Sequence, residues 1–124
     1  MHCFALVVTS DARLRIRLTD VLVSRGYVVH TSESAESASA LSGEVTFSVV
    51  VTGPEQVSQA AHAVRALLRQ DGLVHAVVFH CAGDDTTGID APALTEITLD
   101  EDLAARLRLS VPAANVIASQ RRAT

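Results

Sequence analysis

The chain has 124 residues, 48% of them hydrophobic and 3% aromatic, with a formal net charge of −4 at pH 7. That composition describes one ordinary globular domain, and it offers no broad positive field for nucleic acid. No apolar run approaches the roughly 18–20 residues of a membrane span, and MHCFALVVTS lacks the basic start and small-residue cleavage site of a secretory signal, so a cytoplasmic protein is expected.

In chain order, FALVV at residues 4–8 is short, continuous and β-branched, as a strand buried on both faces should be. Asp11 then stands where a helix cap is needed, Leu14, Leu18, Val21 and Leu22 share one stripe, and Gly26 stops the helix. A second strand is predicted over residues 27–31. After it comes a weak helix capped by Ser34, with Ala35, Ala38 and Leu41 inward, ending at Gly43. Residues 47–51 read as the third strand. Pro54 opens one further helix, with Val57, Ala61, Val64 and Leu68 at helical spacing and Gly72 at its end. The fourth strand is predicted over 74–79.

The pattern then breaks. CAGDDTTGIDAP, residues 81–92, has two glycines, three aspartates, a proline and no apolar stripe, so a loop or a single turn is expected there. A short fifth strand is predicted over 94–97. Thr98 and Glu101 form a capping box for a last helix carrying Leu99, Leu103 and Leu107, ended by Pro112. Residues 1–112 read as the domain and 113–124 as a tail or linker. Strands alternating with helices, all too apolar for a wet face, imply an α/β fold with a doubly wound five-stranded parallel sheet. Right-handed crossovers make the order 2-1-3-4-5.

In that order the crevice at the switch point is lined by Thr9, Ser10 and Asp11 after the first strand, Thr52 and Gly53 after the third, and His80 with Cys81 after the fourth. The stretch ALVVTSDARLRIRLTDVLVSRGYVVHTSESAESASAL resembles the opening of a bacterial response-regulator receiver domain, a flavodoxin-like fold, and the likeness extends over about residues 4–110. The resemblance implies a carboxylate nucleophile at the end of the third strand, and Thr52 stands at the matching position. Thr9 and Ser10 match the acidic pair that holds Mg²⁺, leaving Asp11 as the acid there. His80, or Cys81 with the register one residue on, matches the switching Ser or Thr, and Glu96 falls near the phosphate-binding lysine. A threonine hydroxyl needs an adjacent base to act as a nucleophile, and hydroxyls do not replace the carboxylates that Mg²⁺ requires.

These substitutions point to a degenerate pseudo-receiver, not an enzyme, with no cofactor or metal. It would act through protein partners, a homodimer among them, with no contact to nucleic acid or membrane. An atypical phosphorylation-dependent receiver is one alternative. Another is a flavin or nucleotide binder, although TSDAR is not a flavin phosphate loop and no Gly-rich dinucleotide or Walker motif occurs. Asp11 reads first as a helix cap, and Thr9, Ser10 and Thr52 as satisfiers of loop backbone groups. His80, Cys81, Asp84 and Asp85 lie close in sequence, but neighbours on a strand point to opposite faces and do not share an ion readily. Ile16 and Val23, seven apart on the helix side away from its core stripe, are a candidate interface. Cys3 and Cys81 fall at opposite ends of parallel strands, too far apart to form a disulfide.

Overall fold

Helices cover both faces of the sheet, which is why its strands lack the alternation of a half-exposed sheet. A computed structural model describes residues 3–69, 73–80, 94–98 and 111–117, together with Ala105 and Leu107. The elements run β1 (Phe4–Val8), α1 (Ala12–Ser24), β2 (Val28–Ser32), α2 (Ala35–Ser42), β3 (Val49–Thr52), α3 (Pro54–Gln59), α4 (Ala61–Leu67), β4 (His75–His80) and β5 (Leu94–Thr98). All strand pairs are parallel and the spatial order is β2-β1-β3-β4-β5. A doubly wound sheet of this order places the carboxyl ends of β1 and β3 side by side, since the chain leaves β1 toward one edge and returns to the other.

Two hydrophobic layers follow from the pleat, because successive side chains point to opposite faces. Val7, Val49, Val51, Val77 and Phe79 meet Leu14, Leu18, Val21 and Leu22 of α1, with Leu107, Val111, Ala114 and Ile117. Leu6, Val8, Val50, Ala76 and Val78 meet Ala35 and Ala38 of α2, and Val64, Leu67 and Leu68 at α4 and its end. Leu18 and Leu22 are fully buried, each worth about 1.5–3 kcal/mol of transfer free energy. The caps are local. Asp11 Oδ1 accepts from the amides of Arg13 (3.0 Å) and Leu14 (3.2 Å), and Ser34 Oγ accepts from Ser37 N–H (3.1 Å). Gly26 ends the first helical segment at φ +93°, a conformation that excludes most side chains.

Two expectations are corrected. The single helix from Pro54 is divided at Ala60 (φ −140°, ψ 39°) into α3 and α4. The division reconciles two anchors: Gln56 in α3 is tied to the start of α2, while Val64, Leu67 and Leu68 pack on the sheet. The domain also continues past residue 112. Ala114 N–H donates to Arg25 O (2.8 Å), Arg25 Nη2 donates to Val111 O (2.9 Å), and Tyr27 Oη donates to Pro112 O (2.6 Å). Ala114 and Ile117 are buried in the α1-side core, so residues 113–117 belong to the packed domain and not to a tail. Cys3 is buried, with Sγ 3.4 Å from Ala114 O. The expected loop at 81–92, Cys81 within it, and the capping box at Glu101 lie outside the described residues.

Candidate functional site

The site lies where β1 and β3 end. Their ladder runs one rung past the strands, since Gly53 N–H donates to Val8 O (2.8 Å), and on the other side Thr9 N–H donates to Ser32 O (3.0 Å). Thr9 is fully buried. Its hydroxyl donates to Glu55 Oε1 and accepts from Asp11 N–H (3.2 Å). Ser10 N–H also donates to Glu55 Oε1, at 2.7 Å. One carboxylate oxygen thus gathers two donors from the turn between β1 and α1, although Glu55 lies 46 residues beyond Thr9. Arg15 Nη1 donates to Thr9 O (3.3 Å), adding positive charge beside the turn. Asp11 is occupied in capping α1.

Thr52 does not share this cluster. It pairs with Val8 of β1 and Val78 of β4, both in the α2-side core layer. Two residues after Val50, the pleat directs its side chain to that same layer. It is 0% exposed, and its Oγ1 has no hydrogen-bond partner among the described residues. The next residue is the one that faces the crevice. A Cβ placed on Gly53 would lie 2.6 Å from Thr9 Oγ1, 2.8 Å from Thr9 Cβ and 2.7 Å from Glu55 Oε2. Glycine is what admits the Glu55 carboxylate beside Thr9 without a clash.

On the opposite side of the α3 turn, Gln56 Oε1 accepts from Ala35 N–H (2.9 Å) and Gln56 Nε2 donates to Glu33 O (3.2 Å). Neighbouring residues of α3 therefore clamp two different turns, Glu55 the one after β1 and Gln56 the one after β2. Sequence reasoning missed both. An acid in the first turn of a helix ordinarily complements the helix dipole, so Glu55 carried no separate signal. The pleat places Thr52 with Val50 in the α2-side layer and residue 53 with Val49 and Val51, but both layers are core, so alternation alone does not mark which of the two borders the crevice.

Among the expected site residues, the structure thus joins Thr9 and Ser10 through Glu55, keeps Asp11 at the cap and sets Thr52 apart. His80 ends β4 opposite Thr98, and Glu96 stands in the row Val8, Thr52, Val78, Glu96 across the sheet. Ile16 and Val23 are 62% and 56% exposed on α1, apart from the crevice. Asp11, at the α1 cap, and Glu55 are acids at the β1 and β3 ends, and no group of three or more His, Cys, Asp and Glu suited to a metal occurs among the described residues. Hydroxyls with one committed carboxylate are a poor donor set for Mg²⁺.

No family model and no curated protein matches this sequence. Solved structures do. A response regulator receiver domain protein from Bacillus halodurans superposes with a TM-score of 0.68 at 10% identity, over 90% of this chain and 99% of that one. A chemotaxis response regulator of Vibrio cholerae gives 0.62 at 14% identity, over the whole of both chains. The response regulator domain of CheB from Thermotoga maritima gives 0.62 at 15%, over 93% of this chain and 98% of that one.

Proposed function

We propose that this chain, whose fold is that of response-regulator receiver domains, is a pseudo-receiver, a regulatory module that takes no phosphoryl group and works through protein contacts. One observation carries the reading. The crevice position at the end of β3 is Gly53, and the space beside it is taken by Thr9 and Glu55, with no carboxylate at residues 9, 10, 52 or 53. The carboxylate that does enter, Glu55, comes from α3 and spends Oε1 on Thr9 and Ser10, so neither a carboxylate nucleophile at the end of β3 nor a pair of acidic metal ligands is supplied. The exposed Ile16 and Val23 on α1 are the contact surface this reading favours. A second copy of the chain is one partner it admits, and the reading keeps the protein in the cytoplasm.

The test is an amide spectrum recorded with Mg²⁺ and a small-molecule phosphodonor, and again with Mg²⁺ and beryllofluoride. Both should leave it unchanged. Saturable shifts centred on Thr9, Thr52 and His80 would overturn the reading and favour phosphorylation by unusual chemistry. Thr52→Asp alone should not confer a response, since residue 52 points into the core and Thr9 and Ser10 still supply no metal-binding acid.

A further inference from the structure

The turn between β1 and α1 has the features of an anion site, and it is filled from within the chain. Its donors are the Thr9 hydroxyl and the Ser10 amide, both directed at Glu55 Oε1. Arg15 lies against the same turn through Thr9 O at 3.3 Å. The one opposing charge on the turn, Asp11, spends its Oδ1 on the amides of Arg13 and Leu14. Gly53 leaves open the volume in which the carboxylate sits, because any Cβ there would come within 2.7 Å of Glu55 Oε2.

We propose that the β1–α1 turn is a carboxylate-binding site whose resident ligand is Glu55, so that α3 is latched to the end of β1 and the crevice is closed to outside anions. A tethered ligand competes at high effective concentration, whereas a free one must supply its own binding free energy. Withdrawing the Glu55 side chain should therefore expose a site for a small carboxylate. The inference rests on the pseudo-receiver reading for its consequence, a crevice blocked in cis, but its test is separate.

The variant is Glu55→Ala, titrated with sodium acetate against sodium chloride at matched ionic strength while the Thr9 and Ser10 amides are followed by NMR. The Ser10 resonance should move on mutation. Acetate should then shift both amides saturably, with a midpoint in the millimolar range, and should leave the wild-type spectrum untouched. An unmoved Ser10 in the variant, or a moved Ser10 with no acetate saturation, overturns the proposal. Glu55→Gln keeps an acceptor of the same shape without the charge, and supplies the second readout should the alanine variant fold poorly. Its Ser10 amide should also move and be indifferent to acetate, and an unmoved one refutes the contact. A beryllofluoride response of the wild-type chain would sink the pseudo-receiver reading and the closure of the crevice with it, while the acetate titration of Glu55→Ala judges whether the turn itself is a carboxylate site.

Discussion

Thr52→Val should stabilise the protein, whereas the same substitution at Thr9 should destabilise it. Thr52 Oγ1 is buried without a partner among the described residues, so folding strips water from a hydroxyl and returns no hydrogen bond from them. Leaving such a group unsatisfied costs about 1–3 kcal/mol. Valine keeps the shape, removes that cost and adds an apolar methyl to the layer of Val50, Val8 and Val78. A net gain of about 1–2 kcal/mol is expected, which for a domain of this size is a rise in Tm of roughly 3–5 °C per kcal/mol. At Thr9, valine deletes the donor to Glu55 and the acceptor for Asp11 N–H. A hydrogen bond to a charged group contributes about 1.5–3 kcal/mol, so a loss of about 2 kcal/mol is expected. Urea unfolding measures both, as a shift of midpoint at constant slope. A Thr52→Val protein less stable than wild type by about 1 kcal/mol or more would mean that the hydroxyl has a partner in solution. The assignment of Thr52 to the core side would then fail.

Gln56→Leu should cost about 2–3 kcal/mol in the same assay, because it leaves Ala35 N–H and Glu33 O without the side chain that joins them. Tyr27→Phe should cost about 1 kcal/mol and speed hydrogen exchange at the Ala114 amide, since it cuts the bond to Pro112 O that holds this segment. Burial against the sheet pushes the His75 ring below its ordinary pKa of 6.5, so the unfolded chain binds the proton first. Stability should therefore be full above pH 6.5 and fall as pH drops below it, and His75→Gln should flatten part of that slope between pH 7.5 and 5.5. An identical slope in the variant would show that other groups carry it.

Much of the fold was legible because it is written in local terms. The apolar strand 4–8, the strand predicted over 47–51 and found at Val49–Thr52, the Asp11 and Ser34 caps and the Gly26 stop each depend on a few neighbouring residues. The break at Ala60 was not legible. Neither glycine nor proline marks it, and it follows from a tertiary demand, Gln56 reaching α2 while Leu67 and Leu68 stay on the sheet. The extension to Ile117 was hidden for a similar reason. AANVI carries a weak pattern, and its place depends on a distant glycine: a Cβ on Gly26 would stand 3.3 Å from Ala114 Cβ, tighter than most such contacts. The conformational need of Gly26 could be read from sequence, but not its second use as a seat for Ala114.

The site shows where a resemblance and the structure part company. Matching the polar residue at the end of an apolar run to a functional acid selects Thr52. In the structure residue 53 borders Thr9 and Glu55 instead, and a slip of one residue exchanges the two faces of a sheet. The difference changes the chemistry under discussion. With Thr52 in the crevice, a nucleophile has been replaced by a weaker one. With Gly53 there, no side chain remains, and the vacated volume admits a carboxylate from the following helix. That carboxylate spends Oε1 on Thr9 and Ser10. The crevice is therefore better described by what closes it than by what it lacks, and Glu55 is the residue on which both its rigidity and its response to anions should depend.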